Sequence, residues 1–336
     1  MAASELRHLP AMHRDGQTPP SSQRGAALLT AMIIVTLVAT LAASMVWQQW
    51  RAVQVEGAER ARAQSAWILA GALDWARLIL KEDARSAANS VDHLGEPWAV
   101  PLAEARLSTF LAVDQSNTDD APDAFLSGLI TDAQSKFNVT NLLKADGTPD
   151  EDQAAVLARL CEATGISTDV ATRIVTGLVA IKAGAKTPSA TTPLTPRTVA
   201  QLAWLGIPAD AIKTLTPYVV VLNVATPINM NTAPKEVVAA AVKGWDLAQA
   251  ERFVQTRAKK HYDSTTALQA ALPKDFDIVK AKLSVNSRFF EVRGRLRLGT
   301  RVLEQISLVE RTRAGNRPDV IVLHRERVSS LDQPAS

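Results

Sequence analysis

From Ala26 to Gln49 the sequence contains no charged residue, and apolar side chains dominate from Ala27 to Trp47. A helix rises about 1.5 Å per residue, so roughly 20 apolar residues cross a hydrocarbon layer of about 30 Å. Apolar residues would occupy every face of this helix, which is unusual for a helix that packs on one side against a soluble core. Trp47 and Trp50, at the far end, favour a membrane–water interface. The segment therefore predicts a membrane-spanning helix.

Two other interpretations of this segment stay open. A secretory signal peptide has an apolar region of about 7–15 residues followed by a cleavage site. The sequence "LAASM" at 41–45 loosely resembles such a site, but the apolar run is longer than a signal peptide requires. A buried core helix is the other alternative.

Arg7, Arg14 and Arg24 favour a cytoplasmic N-terminus, although arginines after the segment reduce this asymmetry.

The residues after Trp50 keep a helical period. Apolar residues that can share one stripe recur at Val55, Ala58, Ala66, Leu69, Leu73 and Ala76. No proline occurs between Gly25 and Pro97, and Gly57 and Gly71 weaken a helix without ending it. The sequence therefore predicts one long helix, which is apolar all round in its first half and amphipathic in its second half.

A polar leader that ends at Arg24 and Gly25 precedes this helix. A leader of this kind, followed by such a helix, resembles the type IV prepilins and the type II secretion pseudopilins. The resemblance implies that residues 1–25 are removed by the prepilin peptidase, a membrane-embedded aspartyl peptidase. This enzyme would cleave between Gly25 and Ala26 and N-methylate Ala26. The resemblance also implies a single transmembrane helix at 26–49, a cytoplasmic N-terminus and a periplasmic soluble part anchored in the cell inner membrane.

Thr30 is the fifth residue of the mature chain that this cleavage would produce. Most members of these families have glutamate there, and a carboxylate inside the bilayer costs about 2.5–3.5 kcal/mol unless it has a partner. In pilins the partner is the N-terminal amine of the neighbouring subunit in the filament. Threonine cannot form this charge pair, and in this respect the chain is similar to the large minor pseudopilin K. The alternative is that Thr30 packs among helices and bonds a backbone carbonyl.

The chain after the transmembrane segment divides into four parts. Residues 50–139 contain the amphipathic stem and short strands, and residues 140–283 are rich in short helices separated by Gly or Pro. Residues 284–328 alternate apolar and polar side chains, as antiparallel strands do. The final residues, 329–336, are predicted to be a disordered tail.

The motifs "DAQSKFN", "INMNTAP" and "SRFFEVRG" resemble the secretion subunit K family. The resemblance implies an α+β, pilin-like fold with a small antiparallel sheet. A large all-α domain, of SAM-like or helix-hairpin-helix-like type, would be inserted between the strands of that sheet. The resemblance further implies a place at the tip of the type II secretion pseudopilus. The implied partners are the I- and J-type minor pseudopilins and the major pseudopilin.

Two segments of the middle region echo each other, "FNVTNLL" at 137–143 and "INMNTAP" at 228–234. Their asparagines are predicted to hold tight turns by bonding backbone groups: Asn138, Asn141, Asn229 and Asn231. A membrane-anchored helix-hairpin-helix protein that binds or takes up DNA is the main alternative function. However, the turn "ATGIST" has one glycine and no adjacent basic residue, and the net charge is only +3, so no nucleic-acid partner is predicted. A signal-anchored periplasmic protein without a filament role is the second alternative.

No catalytic motif occurs in the sequence. HExxH, a glycine-rich phosphate loop and a Cys/His cluster with metal-ligand spacing are absent, so neither enzymatic activity nor a cofactor is predicted. Cys161 is expected to be a buried, inert thiol. The acidic loop at 114–123 is a calcium candidate through Asp119, Asp120 and Asp123. It lacks EF-hand spacing, and a solvated acidic loop is the favoured alternative.

Overall fold

A computed structural model describes residues 23–85, 91–107, 124–184, 194–299, 301–315 and 317–330 of the chain. Two compact units, residues 1–64 and residues 65–336, make up the chain, and each is described by itself. The leader before residue 23, the calcium candidates Asp119, Asp120 and Asp123, and residues 331–336 lie outside the described residues.

Helices and strands are numbered in chain order. The helices are α1 (Gln23–Asp83), α2 (Glu151–Ala163), α3 (Asp169–Gly184), α4 (Ala209–Leu215), α5 (Lys235–Ala241), α6 (Leu247–Lys259) and α7 (Thr265–Ala271). The strands are β1 (Leu102–Arg106), β2 (Ala124–Asp132), β3 (Phe137–Asn138), β4 (Val219–Val220), β5 (Ile228–Asn229), β6 (Leu283–Ser284), β7 (Phe289–Leu298), β8 (Arg301–Ala314) and β9 (Arg317–Ser330). Short 3-10 helices occupy Pro97–Ala99, Ala133–Ser135, Val139–Leu142 and Val199–Leu205.

The long helix that the sequence predicts is α1, which continues without a break through Gly57 and Gly71. Every residue from 26 to 49 is exposed, and α1 is the one helix among the described residues that is long and apolar enough to cross a membrane. The hydroxyls of Thr36, Thr40 and Ser44 donate to carbonyl oxygens three or four residues earlier in the helix. These bonds satisfy the hydroxyls in a segment where an apolar solvent would offer them no partner.

Five antiparallel strands form the main sheet of the second unit, in the order β1-β2-β7-β8-β9. One face of the sheet packs on the second half of α1, where Leu69, Leu73, Ala76 and Leu80 are buried. Each leucine buried in this way contributes about 1.5–3 kcal/mol. The combination of a long N-terminal helix with a small antiparallel sheet confirms the predicted α+β, pilin-like class.

Close approach of α1 to the sheet depends on a glycine in β7. A Cβ atom at position 294 would lie 3.3 Å from Cδ2 of Leu69, which is tighter than an ordinary contact. Two basic residues of α1 also bind the start of the edge strand β9. Nε and Nη2 of Arg77 donate to the carbonyl oxygen of Val320 at 2.8 and 2.6 Å, and Nζ of Lys81 lies 3.3 Å from Oδ1 of Asp319. These contacts fix the stem on the sheet.

The helical region lies between two strands that are neighbours in the sheet. β2 ends at Asp132 and pairs along its whole length with β7, which begins at Phe289. The intervening chain holds helices α2 to α7 and one large apolar core. It also contains two parallel pairs of two-residue strands, β3 with β4 and β5 with β6. Each parallel pair begins at one of the two segments that echo each other in the sequence.

Some local details of the fold differ from the sequence-based expectation. Among the short strands predicted within residues 50–139, β3 is only two residues long, because a 3-10 helix begins at Val139. The segment "VAQLAWL" forms a 3-10 helix rather than an α-helix. β9 continues through Ser330, two residues into the predicted disordered tail, because β8 is long enough to pair with it there.

Candidate functional site

The predicted processing site lies in the first turns of α1. Gly25 and Ala26 are both helical in a helix that starts at Gln23. The hydroxyl of Thr30 donates to the carbonyl oxygen of Ala26 at 2.9 Å. Thr30 therefore satisfies its hydroxyl within its own helix and does not require a polar group from another chain.

Asn138 and Asn141 cross-link the start of the helical region. Oδ1 of Asn138 accepts from the amides of Thr140 and Leu222 at 3.1 and 3.2 Å. Its Nδ2 donates to the carbonyl of Val224 at 2.8 Å and to the hydroxyl of Thr226 at 3.0 Å. Asn141 makes a two-way contact with Thr226, donating to its carbonyl at 2.8 Å and accepting from its amide at 3.0 Å. The segment after β4 is thus held by side chains from the segment after β3.

Asn229 and Asn231 make corresponding contacts in the second segment: Asn229 bonds a nearby backbone group, and Asn231 bonds a distant segment. Oδ1 of Asn229 accepts from the amide of Asn231 at 3.0 Å, which closes the local turn. Asn231 contacts Tyr262 in both directions, donating to its carbonyl at 2.9 Å and accepting from its amide at 3.0 Å. The guanidinium of buried Arg257 donates to the carbonyls of Met230 and Ala233 in the same turn. Burial lowers the pKa of Arg257 to about 10.

Asn229 also reaches out of the helical region. Its Nδ2 donates to the carbonyl of Asp92 at 3.0 Å, to Oδ2 of Asp132 at 2.9 Å and to the hydroxyl of Ser287 at 3.1 Å. Asp132 is the last residue of β2, and Ser287 lies just before β7. One buried amide therefore connects the helical region, the loop after α1 and the two strands that flank the helical region.

Asp132 is the acceptor at the centre of this junction. Its Oδ2 also accepts from the hydroxyls of Thr232 and Ser287 at 2.6 Å each. Complete burial raises the pKa of Asp132 to about 6, although these hydrogen bonds act in the opposite direction. In the sequence, Asp132 stands out only as the first residue of the motif "DAQSKFN", because its partners Thr232 and Ser287 lie 100 and 155 positions away.

A second group of charges surrounds Arg311 of β8. Its Nη1 lies 2.6 Å from Oδ2 of Asp83, and its Nη2 contacts Oδ1 of Asp92 and the carbonyl of Ser287. The guanidinium also stacks over the ring of Phe290, 4.6 Å from the ring centre. Burial raises the pKa of both carboxyls, and the positive charge of Arg311 opposes that shift. One arginine from the sheet therefore pairs with both carboxylates and offsets one of their two negative charges.

Cys161, the single cysteine of the chain, is buried on α2. Burial raises the pKa of its thiol to about 11, so the reactive thiolate is scarce near neutral pH. We expect a thiol reagent such as Ellman's reagent to react with Cys161 only at the rate at which the protein opens. Full reaction is expected in urea, and because the chain has one cysteine the signal is unambiguous. Reaction of the folded protein at the rate of a free thiol would contradict this prediction.

Two protein-family models match the chain. Both are described as type II secretion system protein K, one matching residues 135–224 and the other residues 228–286. The matched residues lie between β2 and β7, and the second match begins at β5, directly before the turn that Asn229 closes.

Similar proteins cover nearly the whole chain. Type II secretion system protein K of Pseudomonas aeruginosa is 24% identical over 316 residues, covering 87% of this chain and 90% of the relative. Its counterpart from Pectobacterium carotovorum is 28% identical over 322 residues, covering 86% and 93%. The crystal structure of the GspK-GspI-GspJ complex from the enterotoxigenic Escherichia coli type 2 secretion system contains a chain with a similar fold. The TM-score is 0.61 at 20% identity, over 81% of this chain and 99% of that chain.

The fold defines the class of protein. A long, initially apolar helix packed on a small antiparallel sheet, with a helical region between two adjacent strands, is a pilin-like architecture with a large insert. Together with the family matches and the relatives, this architecture makes the chain similar to one particular family. That family is type II secretion system protein K, whose models match residues 135–224 and 228–286.

Proposed function

We propose that the protein is a minor pseudopilin at the tip of the type II secretion pseudopilus. The observation that carries this proposal is α1, one continuous helix whose first half is apolar and exposed and whose second half is buried against the sheet. Such a helix can be stored in a bilayer and then enter a bundle of similar helices without changing its own fold. Its role is packing and assembly, with no chemical step assigned to it.

The proposal includes processing and location. Before assembly the chain is anchored in the cell inner membrane by residues 26–49, with its N-terminus in the cytoplasm and its second unit in the periplasm. The prepilin peptidase cleaves between Gly25 and Ala26 and N-methylates Ala26. Exposed Trp47 and Trp50 support this register, since aromatic rings favour the membrane–water interface.

The position at the tip is supported by two features. Thr30 bonds the carbonyl of Ala26 in its own helix, so it does not need the amine of a subunit above it. The helical region between β2 and β7 adds bulk that hinders the addition of a subunit on top. A subunit that needs no neighbour above and leaves little room for one terminates a helical assembly.

The partners follow from this position. The similar solved structure is a complex of GspK with GspI and GspJ. We therefore propose that the I- and J-type minor pseudopilins bind this chain and that the major pseudopilin extends the filament below them. In this arrangement the protein supports the export of folded periplasmic proteins across the outer membrane.

The N-terminus of the purified protein tests the proposal. We expect mass spectrometry of the full-length chain, produced in cells with the prepilin peptidase, to find N-methylated Ala26 as the first residue. Replacement of Gly25 by valine is expected to block cleavage, because the peptidase requires a small residue there. The I- and J-type pseudopilins are expected to co-purify with the processed chain.

The matched control is the replacement of Gly57 by valine. Gly57 lies in the same helix, and nothing lies within 4 Å of the place where its Cβ would be, so processing should be normal. An unprocessed Met1 or cleavage near Ser44 would contradict the proposal and favour a signal-anchored protein. Retarded migration of DNA that weakens steeply as salt rises would favour the DNA-binding alternative.

A further inference from the structure

Two histidine rings stack on each other at the junction between the loop after α1 and the helical region. The ring centres of His93 and His261 are 3.6 Å apart, and the ring planes differ by 10°. His93 lies between α1 and the first 3-10 helix, and His261 directly follows α6. The contact therefore joins parts of the chain that are far apart in the sequence.

The His93 ring is held in a defined protonation state. Its Nδ1 accepts a hydrogen bond from the amide of Gly95 at 3.1 Å, so in this arrangement Nδ1 carries no proton. The backbone amide of His93 donates to Oε2 of Glu96 at 2.9 Å. A Cβ at position 95 would lie 3.1 Å from Nδ1, so glycine permits this close contact. Protonation of Nδ1 would replace the acceptor by a second donor and break the bond to Gly95.

His261 is held from the other side. Its neighbour Tyr262 contacts Asn231 through both its amide and its carbonyl, and the Tyr262 ring stacks on Phe253 with ring centres 5.2 Å apart. Hydrogen bonds therefore hold the backbone on both sides of the stacked pair, at His93 to Glu96 and at Tyr262. Separation of the rings requires movement of the 91–96 loop or of the segment after α6.

The surroundings of His93 favour the neutral form of its ring. Burial and the neighbouring His261 lower the pKa of His93, whereas Asp92 and Asp83 act to raise it. Both of these carboxylates are paired with Arg311, which reduces their attraction for a charged imidazole. The ionisable groups around the pair are Asp83, Asp92, Glu96, Arg311 and Tyr262.

We propose that the His93–His261 stack is an acid-sensitive contact that holds the 91–96 loop against the helical region near neutral pH. In acid a proton on Nδ1 of His93 removes the acceptor of the Gly95 amide and places a positive charge against the His261 ring, and the contact opens. Its stabilising effect is present above the ordinary histidine pKa and is lost as the pH falls below it. The conformational response is local to the two segments and does not depend on the secretion role.

Global stability alone does not test this contact. The raised pKa of Asp132 means that its carboxyl binds a proton more readily in the folded chain, so acid favours the fold there. A local readout avoids this opposing effect. Hydrogen exchange of the full-length protein in lipid nanodiscs, corrected for the intrinsic pH dependence, is measured at about pH 8 and about pH 5.

Peptides that cover residues 91–98 and 260–263 are expected to lose about tenfold protection at the lower pH. In His93→Phe, which keeps an aromatic ring but has no Nδ1 to protonate, most of this response should disappear. His324→Phe, a replacement of an exposed histidine on β9, should respond like the wild type. Equal protection of the wild type at both pH values, or an unchanged acid response in His93→Phe, would overturn the proposal.

A second measurement covers the case in which His93→Phe does not fold. Ring-carbon NMR of the ¹³C-histidine-labelled wild type is expected to show His93 titrating below the ordinary histidine pKa of 6.5. A His93 midpoint at or above that value would overturn the proposal without any variant.

Discussion

Replacement of Asn229 by alanine is expected to lower the free energy of unfolding by about 3–4 kcal/mol. The side chain of Asn229 is fully buried, donates to Asp92, Asp132 and Ser287, and accepts from the amide of Asn231. Alanine removes all of these bonds and leaves buried hydrogen-bond donors and buried acceptors without their partner. Each such group costs about 1–3 kcal/mol, and relaxation of the neighbours recovers part of the sum.

The measurement is urea unfolding of the full-length protein in mild detergent, followed by tryptophan fluorescence. Trp98, which is buried against Phe290 with ring centres 5.2 Å apart, reports on the sheet near the junction. Asn223→Ala is the matched control, since Asn223 is an exposed asparagine of the same helical region and should change stability by less than about 0.5 kcal/mol. Equal stability of the two variants would show that Asn229 is not a structural centre.

Replacement of Arg311 by methionine is expected to cost about 3–5 kcal/mol near neutral pH. Methionine keeps much of the apolar contact with Phe290 but leaves Asp83 and Asp92 without the cation that pairs with them. The half-buried carboxylate of Asp83 and the buried carboxylate of Asp92 then repel each other. The loss should exceed that of any surface ion pair of the stem, since exposed pairs contribute only about 0–1 kcal/mol.

The cost of this replacement should depend on pH. Burial already raises the pKa of Asp83 and Asp92 above 3.8, and removal of Arg311 takes away an effect that lowers it. A carboxyl whose pKa is raised in the folded state loses stability as the pH rises through that value. The difference between Arg311→Met and the wild type should therefore be largest near neutral pH and shrink in acid.

Arg313→Met on the same strand is the control for this prediction. Arg313 is exposed, so its replacement should have little effect and no comparable pH dependence. A pH-independent loss in Arg311→Met would indicate that packing against Phe290, rather than charge, is what Arg311 contributes.

The sequence was informative where the signal is local. Apolar residues on every face from Ala26 onward, together with the absence of proline up to Pro97, predict α1. The alternation of apolar and polar residues after Phe289 predicts the last three strands. The echo between "FNVTNLL" and "INMNTAP" directs attention to four asparagines whose side chains each hydrogen-bond backbone groups in the structure. Local periodicity and turn chemistry depend only on neighbouring residues, so the sequence alone can predict them.

The junction could not be found in this way. Asp92 and Arg311 look like ordinary surface charges in their own segments, and the motif "DAQSKFN", which begins at Asp132, does not mark that residue as buried. Arg311 meets Asp83 and Asp92 across separations of 228 and 219 residues. Asn229 contacts Asp92, Asp132 and Ser287, although its sequence signal indicates only a turn.

By itself the sequence determined that the first helix is apolar on every face, that it is continuous, and the class of the fold. These follow from hydrophobic period and chain stiffness over a few residues. Only the tertiary structure decided which charges are buried together, which asparagine holds the helical region to the sheet, and that His93 lies on His261. The physical reason is that each of these contacts joins residues far apart in the chain, so no pattern among neighbouring residues can reveal it.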